Sequence, residues 1–441
     1  MVSEERDLCL AAPPGSKFLG RRAFVVQDLT IGVRVTRYWR SRWRLPDGRI
    51  IVAPLPEGVD GHFGAELRRM VLSLYHQGQS TVERIAALLH DLGVSISKRQ
   101  VVRILTDKIE VFVTEAKEVL KVGLASAGWV SVDDTGARHG AKNGVCTQIG
   151  NDRFASFTTT TSKSRLNFLQ LLHGGSSRWA LNAASRAYML ERGLAPATVT
   201  ALHGEAAPSG FDDAASWKAY LETHGLVPKE GPLDPFRIAS EGALWGGLIE
   251  GRTLEGTVIL SDGAGQFAIG EHARCWVHME RLIHALDTFT ELNRSAKAMI
   301  QSQIWELYND IKTWRLEPDP GKAKELARRF DRIFLTKTGF ATLDRLLQRI
   351  RVNRSSFLKI LERPDIPLHT NGSENDIRCV VTRRKISGGT QSDSGRTARD
   401  AMLSLLKTCN KLGICFWHFL GDRLAVPGVK IPPLTELVAA R

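Results

Sequence analysis

No uncharged apolar run in this chain reaches the roughly 18 residues that a membrane-spanning helix needs. The opening Met1-Val-Ser-Glu-Glu-Arg leads into no apolar stretch of secretory-signal length, so a cytoplasmic protein is expected. The six cysteines, Cys9, Cys146, Cys275, Cys379, Cys409 and Cys415, are scattered and form no Cys-x-x-Cys pair. That argues against a zinc ribbon and for a reducing compartment. Internal repeats and low-complexity tracts are absent too. What remains is ordinary for a globular chain: 43% hydrophobic and 24% charged over 441 residues, enough for two or three domains with cores of their own.

Charge is the first feature with functional content. Lys and Arg number 60 against 47 Asp and Glu, a net charge of +13. A surplus of this size suits a polyanionic partner, because each phosphate neutralised releases a counterion. It is equally compatible with a basic enzyme that never meets nucleic acid.

Along the chain, residues 20 to 55 read as β-rich, with bulky and basic residues alternating in Val33-Arg-Val-Thr-Arg-Tyr-Trp and a turn at Pro46-Asp47-Gly48. From about Ala65 the pattern is helical. Val82, Ile85, Ala86 and Leu89 recur at helical spacing, Gly93 offers a turn, and Ser97 can cap a helix carrying Val101, Ile104 and Leu105. This outlines a helix-turn-helix with Lys98, Arg99, Gln100 and Arg103 near the start of its second helix, although a plain helical hairpin has the same outline.

A strand is expected at Trp129 to Asp133 and ends in acid. Strands near 145 to 149 and 154 to 160 follow, then a helix from Ser164 to His173. Residues 175 to 250, broken by Pro196, Pro208, Pro228, Pro232 and Pro235, read as an irregular insertion. Thr257 to Asp262 is a further strand, Ala273 to His278 a short one, and Glu280 to about Ile360 a helical tract whose apolar stripe starts at Leu282, Ile283 and Leu286. Pro364 and Pro367 close it, and Thr370-Asn371-Gly-Ser373 can cap a last helix with Glu374, Ile377 and Arg378. The expected division is 1–64, 65–122, a catalytic region 123–400 with insertions at about 175–250 and 280–362, and a helical tail 401–441.

Three acids stand out in this order: Asp133 with Asp134 beside it, Asp262, and Glu374. Taken singly, each Asp is a common turn former and Glu374 an ordinary helix residue. Taken together, they match a mixed α/β, ribonuclease-H-like layout in which strand ends and one crossing helix pool three carboxylates. Phosphoryl transfer by paired divalent cations needs such hard oxygen ligands and no protein nucleophile.

The chain resembles the IS66 family of insertion-sequence transposases over nearly its whole length. The most specific block is Leu368-His-Thr-Asn371-Gly-Ser-Glu374-Asn-Asp-Ile-Arg378 with Arg383-Arg384-Lys385, similar to the family's Asn-x-x-Glu-x-x-x-Arg helix and Arg-Lys element. Ser392-Asp-Ser-Gly395, Leu403 to Thr408 and Leu412-Gly413 resemble its closing segment. Val132-Asp133-Asp134-Thr135 resembles the first-acid motif, where Asp-Glu-Thr is usual; Ser261-Asp262-Gly-Ala-Gly265 resembles the second, and Cys275-Trp-Val-His278 the Cys-x-x-His signature after it. The family's paired zinc cysteines have no counterpart at Trp43 to Arg49.

The resemblance implies an Asp-Asp-Glu DNA transposase of the bacterial nucleoid, with Asp133, Asp262 and Glu374 holding Mg²⁺ or Mn²⁺, two ions, and no zinc. Asp133 is preferred over Asp134 as first ligand. It implies double-stranded DNA partners, the element's terminal inverted repeats and the target. It further implies a homo-oligomer on DNA and accessory proteins from the same element. Lys98, Arg99, Gln100, Arg103, Arg378, Arg383, Arg384 and Lys385 are the expected DNA contacts, and Cys275 and His278 are expected to pack and hydrogen-bond near the site. Two other readings stay open: a transposase-derived DNA-binding protein without activity, and a related nuclease that cuts without joining.

Overall fold

The computed structural model describes residues 4–440 apart from 9, 12, 57, 58, 60, 230, 232 and 233, so Cys9 lies outside the described residues. Pro46-Asp47-Gly48 makes the expected turn, with Gly48 at φ +85°, between β1 (Arg42–Arg44) and β2 (Ile50–Val52). The β-rich stretch expected over 20 to 55 shrinks to these two strands. No side chain in it is buried, and a two-stranded hairpin whose apolar side chains pack against nothing does not extend its pairing.

Three short helices follow: α1 (Ala65–His76), α2 (Val82–Asp91) and α3 (Lys98–Thr106). The Thr81 hydroxyl accepts from the Arg84 N–H to cap α2, Gly93 at φ +88° turns the chain, and Ser97 with Gln100 forms a capping box on α3. Val71, Leu72, Ile85, Leu89, Val101 and Ile104 are buried, in one core with α4 (Glu110–Ser126) and the sheet beyond it.

β3 (Trp129–His139), β4 (Lys142–Gly150) and β5 (Ala155–Thr160) form an antiparallel meander, followed by α5 (Arg165–Leu172). β3 does not stop at Asp133, because β4 pairs with it all the way to His139. The tract from 175 to 250 is mostly helical. β6 (Trp179–Ala180) pairs with β7 (Gly210–Phe211) amid α6 (Ala183–Glu191), α7 (Pro196–Leu202), α8 (Ala214–Thr223) and α9 (Pro235–Glu250). Pro196 and Pro235 occupy first-turn positions, where a missing N–H costs nothing, so they start helices and do not break them.

β8 (Val258–Ser261) and β9 (His272–Arg274) complete a five-stranded mixed sheet of order β5-β4-β3-β8-β9, with β3, β8 and β9 parallel. The short strand expected through His278 ends at Arg274. α10 (Trp276–His284) begins there, and α11 (Glu291–Trp314), α12 (Pro320–Leu335), α13 (Ala341–Val352) and α14 (Arg354–Leu358) extend it into a helical lobe. The lobe has its own core, in which Trp276 packs edge-on to Phe330 and Phe357. The chain then returns to the sheet as α15 (Asn371–Ser387) and α16 (Asp393–Lys411), and ends in α17 (Phe416–Arg423) and α18 (Leu434–Ala439). The positions 122 and 400 fall inside α4 and α16, and buried residues of α1 to α3 lie in the same apolar core as those of the sheet. Among the described residues no helix is long and apolar enough to cross a membrane.

The β5 edge of the sheet is closed by side chains of α16. Along β5, the N–H groups of Ala155, Phe157 and Thr159 donate to Thr408 Oγ1 (3.2 Å), Ser404 Oγ (2.9 Å) and Asp400 Oδ2 (2.7 Å) of α16. Every second strand residue meets every fourth helix residue, because about 6.7 Å of strand matches about 6 Å of helix. A helix thus occupies the position of a sixth strand and blocks edge pairing. Asp400 is buried and also holds the Arg399 guanidinium at 2.8 Å. Asp400→Ala is expected to cost about 3 kcal/mol, because it strands a buried cation and an N–H. Ser404→Ala is expected to cost about 1 kcal/mol. Urea unfolding reads both, and equal costs would contradict this assignment.

His76, at the end of α1, is buried, and that burial with the charges of Arg383 and Arg399 pushes its pKa from 6.5 to about 3. The unfolded chain therefore binds the proton more readily. Folding is unaffected above pH 6.5 and is penalised by about 1.4 kcal/mol for each pH unit below it, down to about 3. Thermal melts of wild type and His76→Gln should converge as pH falls across this window; parallel curves would remove His76 from the account.

Candidate active site

β3 and β8 pair in parallel from Trp129↔Val258 to Ser131↔Leu260. Continuing that register two residues brings Asp133 opposite Asp262, the residue that follows β8, where adjacent strands lie about 4.8 Å apart. Pairing with β8 stops just before them, so both carboxylates stand at the mouth of the parallel pair. Asp262 begins a tight turn in which its Oδ1 accepts from the Ala264 N–H at 2.8 Å. Gly263 sits at φ +98°, a conformation that favours glycine, and a Cβ there would press on the Arg274 guanidinium at 3.0 Å.

Glu374 comes from the first turn of α15, where the helix dipole favours an anion. The Thr370 hydroxyl donates to its Oε1 at 3.4 Å, and Arg281 of α10 reaches its Oε2 at 3.3 Å. Thr370 is the N-cap by position, but its side chain makes no capping bond.

The acids share one electrostatic field. Asp133 is pushed up to about 6, first by burial and then by the charges of Asp262, Asp134 and Glu374, while a hydrogen bond from the Asp134 N–H pulls the other way. Asp134 is occupied differently: Lys163 Nζ lies 2.7 Å from its Oδ1, and Gln266 Nε2 donates to its Oδ2 at 2.8 Å. Strand alternation turns it toward the α5 side and Asp133 toward α15.

All-oxygen donors are what Mg²⁺ or Mn²⁺ takes, and a desolvated carboxylate crowded by like charges is what a divalent cation relieves. The residues fit such an ion in kind. Among the described residues no three His, Cys, Asp or Glu side chains are grouped tightly enough to hold one, and Glu374 is paired with Arg281.

Cys275 and His278 form a support behind Glu374. Burial raises the Cys275 thiol, but hydrogen bonds with His278 and Thr370 outweigh it and bring its pKa below the usual value. The same bond with Cys275 raises His278, helped by the charges of Glu374 and Asp262. His278 Nδ1 is 3.9 Å from Glu374 Oε1.

The expected DNA contacts divide. Lys98, Arg99 and Arg103 are exposed on α3, but Gln100 Oε1 accepts from the Ser97 N–H at 2.7 Å and is committed to the capping box. Arg378 and Lys385 are exposed on α15. Arg383 lies 3.8 Å over the Tyr75 ring and donates to the Ser80 carbonyl at 3.0 Å, so it helps dock α15 onto α1. Arg384 donates to the Gly136 carbonyl and is tied to β3. A triple Arg-Arg-Lys run on a helix spreads over its faces, so only part of it can face solvent. Lys163, Gln266, Arg274 and Arg281 were not singled out from sequence; only the three-residue spacing of His278 and Arg281, one helical turn, signalled any of them.

Two comparisons bear on this arrangement. The model of the family described as Transposase IS66 family matches residues 251–398, a span that holds Asp262 and Glu374 but not Asp133. An uncharacterized protein of Sinorhizobium fredii, y4jO, is 46% identical over 323 residues, which are 73% of this chain and 100% of that protein.

Proposed function

Because the chain belongs to the transposase IS66 family, we propose that it cuts the ends of its own DNA element and joins their 3′-hydroxyls to target DNA. The observations that support this reading are the parallel β3–β8 register leading to Asp133 and Asp262, and the charges of Asp262 and Glu374 that both raise Asp133. On this reading the sheet order is that of a ribonuclease-H-like core, and α2 with α3 is a helix-turn-helix.

Asp133 and Asp262 would hold the divalent ions rigidly, and Glu374 would close the site from α15 on leaving Arg281. Two Mg²⁺ or Mn²⁺ ions would supply charge neutralisation at the phosphate and an activated water or hydroxyl. Asp134, paired with Lys163 and Gln266, fixes the strand and stays out of the chemistry. The Cys275–His278–Thr370 contacts set where Glu374 rests. Lys98, Arg99 and Arg103 would bind the terminal repeats, with Arg378 and Lys385 on phosphates beside the site. Joining paired ends calls for more than one copy, and accessory proteins of the element belong to the same reading. Zinc plays no part in it.

Incubation of the purified chain with labelled element ends, target DNA and Mg²⁺ tests the proposal. Joined product is expected; a shifted band alone would make it a DNA-binding derivative, and cleavage alone a nuclease.

A further inference from the structure

Residues 34 to 49 carry six arginines, Arg34, Arg37, Arg40, Arg42, Arg44 and Arg49, against one acid, Asp47, which is itself paired with Arg49 at 2.6 Å. Trp39 and Trp43 stand 88% and 68% exposed between them. The segment ends in the β1–β2 hairpin, extended by a hydrogen bond from Arg40 Nε to the Ala53 carbonyl at 2.6 Å. None of it is buried, so the molecule's own core does not account for these residues. A two-stranded hairpin alone is marginal, and burying those tryptophans needs another surface.

We infer that this arginine-rich hairpin is a second DNA-contacting element, separate from α3 and working without a metal. The partner is double-stranded DNA. A two-stranded ribbon fits the major groove, and arginine forks pair with phosphates and with guanine edges. Together with Lys98, Arg99 and Arg103 of α3, it would add to the cationic contacts with the element's end. The inference rests on the proposed DNA activity.

The test uses the full-length chain and the triple variant R37Q/R42Q/R44Q, all at exposed positions, with a labelled duplex of the element's end at several salt concentrations. Loss of three phosphate contacts should weaken binding on the order of 10-fold to 100-fold near 0.15 M salt and flatten the log–log salt slope by roughly 2 to 3. A thermal melt matching wild type confirms that the fold is kept. If wild type binds and the variant matches it in affinity and slope, the hairpin inference is overturned and the activity reading stands. If wild type binds no duplex, both fall. Vesicles of anionic and neutral lipid form the other arm, and tighter binding to the anionic vesicles than to the duplex would also overturn the inference.

Discussion

Asp262→Asn and Glu374→Gln should each reduce strand joining by roughly 10³-fold while end binding stays unchanged. Either change removes one charged oxygen from a site whose whole contribution is electrostatic, and neither side chain supports the core: Asp262 is exposed, and Glu374 touches Thr370, Arg281 and His278 at the surface of α15. Asp133→Asn should behave alike, because it shares their field. Asp134→Asn is the informative contrast. It loosens a contact with Lys163 and should lower stability more than joining. Product formation on gels, beside binding measured on the same preparations, separates the two effects. Full joining by Asp262→Asn would contradict the mechanism.

Charge reversal on α3 should have the next largest effect. Arg99→Glu with Arg103→Glu replaces two exposed cations with anions on one helix face, leaving the capping box of Ser97 and Gln100 intact. End binding should fall on the order of 100-fold, most steeply at low salt, because phosphate attraction becomes repulsion. The Ile104 and Leu105 side of α3 faces the core, so the helical signal in circular dichroism should not change. A gel shift equal to wild type would remove α3 from the DNA surface.

Much of this was legible in the sequence, for identifiable reasons. The meander and the strand before Asp262 are readable because short apolar, β-branched runs are bounded by turn residues, and the helix after Ser164 because that serine caps it. The two carboxylates of the Val132-Asp133-Asp134 run were separable in principle by alternation, and the structure gives each a different neighbour. The helices of 175 to 250 were missed because proline was read as a breaker where it is a first-turn residue. The contact of Arg383 with Tyr75 is not legible, because a charge run says nothing about which side chain meets a ring more than 300 residues away. Nor does local pattern show that Asp400, Ser404 and Thr408 would close the edge of β5, since that match exists only once strand and helix lie side by side.

The central claim is that the three acids form one metal-holding site, and crystals grown with Mn²⁺ test it directly. The account predicts anomalous scattering between Asp133 and Asp262, with carboxylate oxygens at about 2.1 Å from the metal. Glu374 should then be released from Arg281 and turned toward the ion. Manganese bound elsewhere, with Glu374 still resting on Arg281, would contradict it.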